Sequence, residues 1–395
     1  MGKTQEQIAA QFDKYVMHNY RRIPLSIVKG AGSFIWDAAG KKYLDLFPGW
    51  GVAGLGHCHP AVAAALQKQS TKLLHVANNF YSEEQGEFAE MLSTRADGQQ
   101  VFFCNSGAEA AEGAIKLARL ACYDDGGRYG VITMKNSFHG RTFGAISATG
   151  QAAYRKGFEP TVPGFAHAEL NNLESVKALI DEHTCAIMLE QVQGESGVRP
   201  ATKEFLQGLR KLCDEHKLKL IFDEVQTAPA RLGTWFGYQY FGVKPDILTS
   251  AKAIAGGMPM GIIMADEKIA RYLKPGTHAS TFGGNSIGCA AGIAALKVIE
   301  EEHLMDNIKR LGKVLDERIA ALRAKTDKIA DYRRVGFMVA LELNVPGVPV
   351  INKCSDLGVL INCTHDTILR MLPAFTITEG ELLGGIDVLE KALLA

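Results

Sequence analysis

The sequence carries no net charge: its 43 lysines and arginines balance its 43 aspartates and glutamates. That balance excludes a basic field for nucleic acid and an acidic disordered tail. No apolar run is long enough to span a bilayer. The opening stretch MGKTQEQIAAQFDKY lacks the apolar core of a secretory signal. There is no CxxC pair either. The eight cysteines, at 58, 104, 122, 185, 213, 289, 354 and 363, are scattered. Their spacing predicts reduced thiols in a cytoplasmic protein rather than a disulfide framework. Internal repeats and low-complexity stretches are also missing. What remains is a chain of 395 residues, 47% hydrophobic, enough for two domains and a large core.

The stretch from Leu218 to Gly261 organises the rest. An apolar run, Leu218 to Phe222, ends in two carboxylates, Asp223 and Glu224. It reads as a buried parallel strand, and open α/β sheets bind ligands at the carboxyl ends of such strands. A second apolar run, Asp246 to Thr249, leads to Lys252, which is followed by Ala-Ile-Ala-Gly-Gly. An acid at one strand end and a desolvated lysine nearby suit pyridoxal phosphate. That cofactor needs a lysine for its Schiff base and a carboxylate that keeps its pyridine nitrogen protonated. On these residues alone, a strand-end acid and a surface lysine are the simpler reading. The rest of the chain reverses that.

Gly49-Trp-Gly51-Val-Ala-Gly54 matches the dinucleotide fingerprint, but the acid that should follow about 20 residues later is absent. It reads as a tight connector. His57-Cys58-His59 has no second cluster to complete a zinc site and reads as a turn before the helix 61–72. Ser106 with Glu109 forms a capping box at the start of a helix, after the short strand 101–103. Gly107 and Ala108 there offer free N–H groups to a phosphate. After the strand 130–134, Phe138 or His139 is placed to stack on an aromatic ring, and Arg141 to grip a carboxylate. The strand 186–189 ends at Glu190. Ser280 and Thr281 lie beside two glycines and could meet phosphate oxygens. Leu304, Ile308, Leu311, Leu315, Ile319 and Leu322 make a helical stripe, and 335–343 reads as a strand. Strands alternating with helices predict an α/β fold with a largely parallel sheet.

Together, Gly56-His-Cys-His-Pro60, Asn105-Ser-Gly-Ala-Glu-Ala110, Phe138-His-Gly-Arg141, Asp223-Glu-Val-Gln226, Ala251-Lys252 and Ser280-Thr-Phe-Gly-Gly-Asn285 resemble the class III aminotransferases. These are fold type I pyridoxal-phosphate enzymes, and the likeness, strongest to their acetylornithine branch, covers nearly the whole chain. It implies a large domain over 51–290 with a mostly parallel central sheet. A small α/β domain would combine 1–50 with 291–395. It implies that Lys252 carries the Schiff base, Asp223 pairs with the pyridinium nitrogen, and Gln226 lies near the ring hydroxyl. Gly107 and Ala108 would hold the phosphate, Phe138 the ring face, and Arg141 the substrate α-carboxylate. Thr281 would reach the phosphate of a neighbouring subunit, with Ser280 near the substrate, in a homodimer with active sites at the interface. Glu195 and Arg370 would pair and open when 2-oxoglutarate binds.

The implied reaction is a ping-pong transfer of the terminal amine of N2-acetylornithine to 2-oxoglutarate, a step of arginine biosynthesis. Ornithine, succinylornithine, 4-aminobutyrate and acylated lysines are other donors within the class. Three positions depart from the family pattern. Ala111 stands where Asn is usual, Thr227-Ala-Pro-Ala-Arg-Leu-Gly233 replaces a glycine-rich loop, and Trp50 stands where the acetylornithine branch has a smaller residue. A large ring at that wall would narrow the pocket for an N-acyl group. Two readings from other classes remain: a nucleotide-dependent oxidoreductase resting on Gly49–Gly54 alone, and a non-catalytic binding protein, against which Lys252 and Asp223 argue.

Overall fold

The computed structural model describes residues 2–395. Its largest element is a seven-stranded sheet: β1 (Gln100–Cys104), β2 (Gly130–Met134), β3 (Phe165–Ala168), β4 (Thr184–Leu189), β5 (Lys219–Asp223), β6 (Ile247–Ser250) and β7 (Gly261–Ala265). They lie in the order β1-β7-β6-β5-β4-β2-β3. β7 runs antiparallel to both neighbours, and the remaining pairs are parallel. The segment joining β6 to β7 is too short for a parallel crossover, so that strand must reverse. Parallel strands are covered on both faces and read as continuous apolar runs. β4 is buried at every position.

Helix Gly107–Ala121 begins where β1 ends. Ser106 caps it, its Oγ accepting from the Glu109 N–H at 3.2 Å. The Glu109 carboxylate reaches back to the Asn105 N–H at 2.8 Å. The expected box is therefore displaced by one residue. Ala110, Ala111, Ala114, Ile115 and Ala118 form its buried face, and their small size lets the helix lie close to the sheet. Helix Lys203–His216 buries Phe205, Leu206, Leu209, Leu212 and Cys213, then stops at left-handed Lys217 to feed β5. Helix Leu304–Arg323 buries the whole stripe that its periodicity predicts.

A two-stranded sheet, Val192–Gln193 with Arg199–Pro200, and two four-stranded sheets complete the fold. One joins Ile27–Ala31, Phe34–Asp37 and Lys42–Asp45 to Val359–Leu360, which pairs parallel with Lys42–Asp45. The other contains Ile329–Val335, Met338–Leu343, Ile368–Met371 and Asn362–Thr364. Where the pattern predicts a single strand over 335–343, the chain folds back as a hairpin. Gly336 turns it with φ 57°, a left-handed conformation. A Cβ there would lie 2.3 Å from the Arg231 carbonyl oxygen, so only glycine satisfies both demands.

Gly49, Trp50 and Gly51 are three successive left-handed residues. The turn opens no long helix, since the next one starts at Pro60, and a dinucleotide loop has no counterpart there. His57 pairs with Asp45 at 2.9 Å. No cluster of three or more metal-ligating side chains exists among the described residues, and all eight cysteines are free. No described helix is long and apolar enough to cross a membrane.

Candidate active site

β5 and β6 are neighbours, with Asp223 opposite Thr249. The residues just beyond them therefore emerge at one edge of the sheet. A cavity of about 460 Å³ opens there. β5 contributes Asp223 and Gln226, and β6 is followed by Lys252. The helix start after β1 supplies Gly107 and Ala108, the loop after β2 supplies Phe138 and Arg141, and the loop after β4 supplies Glu190 and Glu195. Residues up to 145 positions apart in the chain thus share one space because parallel strands put all their carboxyl ends on one side.

Asp223 is 4% exposed. Its Oδ2 lies 2.6 Å from Nδ1 of His139, and its Oδ1 accepts from the Val225 N–H at 3.1 Å. Burial works against charging His139, yet the hydrogen bond and charge of Asp223 raise its pKa. Glu224 takes a different part. Its carboxylate accepts from Gln191 Nε2 and from the Gly237 and Tyr238 N–H groups, and so it caps a helix away from the cavity. The two adjacent acids are separated by the side alternation of a strand end.

Lys252 sits at φ 48° at the head of a short turn. Burial lowers its pKa, while Glu195 pulls it upward. Burial also works to raise the Glu195 pKa, but Arg370 holds it below the ordinary value. That pair is bidentate: Arg370 Nη1 to Glu195 Oε1 is 3.0 Å and Nη2 to Oε2 is 3.3 Å. Arg370 also donates to the Gly194 carbonyl at 2.7 Å and to Asn362 Oδ1 at 3.2 Å, and it lies 4.7 Å above the Phe47 ring. Burial pushes the Glu190 carboxyl up to about 7, with His139 and Asp223 pulling in opposite directions. Glu190 accepts from the Phe138 and Gly194 N–H groups at 2.8 and 3.2 Å, tying two walls together.

The donor set fits pyridoxal phosphate. In the helix the N–H groups of Gly107 and Ala108 have no intrahelical acceptor. A Cβ at Gly140 would meet the Ala108 side chain at 2.7 Å, so glycine lets the Phe138–Arg141 loop close over that anion site. Gln226 leaves its Oε1 buried without a hydrogen-bond partner. Whichever way the amide is turned, a polar atom stands ready for a ring hydroxyl.

Arg370 stands outside the lining and meets it through Glu195, and three other expected residues lie elsewhere. Ser280 and Thr281 line a second cavity of about 390 Å³ with Asn105, Glu109, Glu112 and His278. Asn105 borders both cavities and donates to Ser280 Oγ at 3.1 Å. Trp50 is 51% exposed, its ring against Phe47, and stands apart from the lining, where Val52 is found instead. The motifs gave no site role to Glu190 and left His139 only as a possible stacking ring. The apolar run of β4 ending in an acid was the available signal for Glu190.

A family model described as "Aminotransferase class-III" matches residues 15–393. The acetylornithine aminotransferase of Caldanaerobacter subterraneus subsp. tengcongensis is 46% identical over 96% of this chain and 97% of that protein. Ornithine aminotransferase from Toxoplasma gondii, solved with partial occupancy of PLP at its active site, superposes with a TM-score of 0.95 at 32% identity. That match covers 99% of this chain and 95% of the other. Acetylornithine aminotransferase from Elizabethkingia anophelis superposes with a TM-score of 0.90 at 34% identity over all of both chains.

Proposed function

The chain belongs to the class-III aminotransferase family, and from that premise we propose that it transfers the terminal amine of N2-acetylornithine to 2-oxoglutarate, giving N-acetylglutamate 5-semialdehyde and glutamate. The observation that carries this reading is the single cavity shared by Lys252, Asp223, Arg141 and Glu195. The names of the relatives at 46 and 42% identity support the donor. Bound there, pyridoxal phosphate supplies an electron sink for the carbon that bears the reacting amine.

The protein's own groups do the rest. The Gly107 and Ala108 N–H groups hold the phosphate. Phe138 covers a ring face and Gln226 meets the ring hydroxyl. Asp223, oriented by His139, keeps the ring nitrogen protonated. Lys252 Nζ, its pKa lowered by burial, would take the proton from the donor's amine-bearing carbon and, in the second half, supply the proton that the α-carbon of 2-oxoglutarate gains. Arg141 binds the α-carboxylate. Arg370 meets the second carboxylate of 2-oxoglutarate once Glu195 turns away.

Ser280 and Thr281 act in the cavity of a second copy, making the enzyme a homodimer with sites at the interface. Their placement outside the Lys252 cavity supports this. So do exposed Phe80, Tyr81 and Phe282, brought together where Asn78 bonds the Ser280 and Gly283 carbonyls. In this reading residues 51–290 form the large domain, and 1–50 with 291–395 form the small one that brings in Arg370.

The cofactor-loaded protein should lose its absorbance band on adding N2-acetylornithine and regain it with 2-oxoglutarate. No bleaching by that donor refutes the substrate. A second reading takes free ornithine as donor, supported by the TM-score of 0.95 to an ornithine aminotransferase; Trp50, outside the lining, does not narrow the pocket as its size suggested. Bleaching by ornithine alone would establish it.

A further inference from the structure

Arg141 is an exposed cation at the cavity rim with no acid to hold it among the described residues. The nearby carboxylates are engaged. Asp223 faces His139, Glu195 faces Arg370, and Glu112 accepts from Thr142 Oγ1 and the Gly144 N–H. A long side chain in that position spreads over many rotamers, and fixing it on substrate binding costs entropy. Yet Arg141 Cζ lies 4.0 Å from the centroid of the Tyr154 ring and 5.5 Å from that of Phe138. The Phe138 and Tyr154 rings meet edge to face at 5.7 Å and 86°. Phe138 and Arg141 line the cavity, and Tyr154 stands behind them.

Tyr154 is itself well fixed. It lies on the short helix Ala152–Arg155. On one side, Gln151 Nε2 donates to the Asn136 and Ser137 carbonyls at 3.3 and 3.2 Å. On the other, Arg155 Nη1 donates to the Thr149 carbonyl at 3.2 Å and lies 2.8 Å from His167 Nε2. Burial and Arg155 depress His167 to about 4, so it stays neutral and able to accept. The ring is therefore a platform anchored from both flanks. A guanidinium lying flat on a ring keeps its edge N–H groups free for the two parallel bonds that a carboxylate takes.

We propose that Tyr154 is a positioning residue that holds the Arg141 guanidinium ready for a substrate carboxylate. The inference rests on the reading of Arg141 as the carboxylate anchor. Through it, Tyr154 sets the affinity for carboxylate-bearing donors without touching them. The Arg141 contact is made by the ring face, so phenylalanine serves as well as tyrosine.

The test is steady-state kinetics of the pyridoxal-phosphate-loaded enzyme with N2-acetylornithine, for the wild type, Arg141→Ala, Tyr154→Leu, Tyr154→Phe and the Arg141→Ala/Tyr154→Leu pair. Tyr154→Leu should raise KM about fivefold, the scale of a stacked cation, with kcat nearly unchanged. Tyr154→Phe should restore the wild-type KM. In the Arg141→Ala background, Tyr154→Leu should add nothing, because the two act as one unit. If Arg141→Ala raises KM but Tyr154→Leu does not, or if the two effects simply multiply, the inference fails and the anchor reading stands. If the wild type does not turn over this donor, or Arg141→Ala leaves its KM unchanged, the anchor reading fails and the inference falls with it.

Discussion

Replacing Glu195 by glutamine should tighten the apparent binding of 2-oxoglutarate. The Arg370 guanidinium is 1% exposed and already bonded to both Glu195 oxygens. An incoming carboxylate must first displace that acid. Bonds to charged groups contribute about 1.5–3 kcal/mol each way. Glu195 is 21% exposed, so water offsets part of its loss and the lower figure applies. About 1.5 kcal/mol corresponds to roughly a tenfold fall in KM for 2-oxoglutarate. Arg370 should keep its place in the variant, because the Gly194 carbonyl, Asn362 and the Phe47 ring still hold it. Glutamate, with the same second carboxylate, should gain as a reverse donor, and N2-acetylornithine should not. A second consequence concerns pH. Glu195 holds the Lys252 pKa up and Arg370 pushes it down. Without the acid, the lysine should be neutral at lower pH, so the rising limb of the kcat profile should move toward acid. Initial-rate kinetics with both substrates across neutral and alkaline pH provide the assay. An unchanged or higher KM for 2-oxoglutarate, or a limb that moves toward alkaline pH, would refute the reasoning.

Asp223→Asn should retain pyridoxal phosphate but lose most turnover, and the His139 pKa, which Asp223 raises, should drop in an NMR titration; full activity would remove Asp223 from its role. Gly107→Ala would put a Cβ 2.8 Å from Val225 Cγ1, and overpacking of that kind predicts about a tenfold loss of cofactor affinity in a titration. Glu190 titrates at about 7 when folded, against about 4.3 in the unfolded chain. The extra proton of the folded state contributes stability that is full below about 4.3 and lost as pH rises through about 7. Between about pH 5 and about pH 8 the wild type should therefore lose up to about 3 kcal/mol more than Glu190→Gln in urea unfolding; parallel losses would show that Glu190 is ionised throughout.

The elements that were legible from sequence are those with local causes. β4 and β5 are apolar runs that end in acids, and Leu304–Leu322 repeats at the period of a helix. The cap at Ser106 is a short-range pattern. Pairings across the chain have no such signature. Nothing around Val359 says that it will lie beside Leu44. The hairpin at Gly336 was hidden because one glycine between apolar residues also fits an unbroken strand. Motifs located the candidate residues of the Lys252 cavity. The family likeness singled out Asp223 over Glu224; the apolar run before them could not, since which acid faces the cavity depends on neighbouring strands. Tyr154 was invisible for a related reason: its partners are Phe138 and Arg141, and aromatic stacking leaves no spacing rule in a loop.

The pairing of Val359–Leu360 with Lys42–Asp45 bears on how the protein is made. The strands from Ile27 to Asp45 leave the ribosome well before Val359, and the edge of their sheet stays open until the roughly 300 residues between them have emerged. At about 5–20 residues per second that wait is roughly 15–60 seconds. An unpaired strand edge is a template for stray pairing, so nascent chains are at risk throughout this interval. Ile368–Met371 follows within ten residues, joins the other four-stranded sheet and sets Arg370 against Glu195. A polypeptide released short of Val359 would hold Lys252 and Asp223 but lack the arginine that meets Glu195. Synthesis through residues 359–371 thus closes the open edge and brings in that arginine within a few seconds of each other.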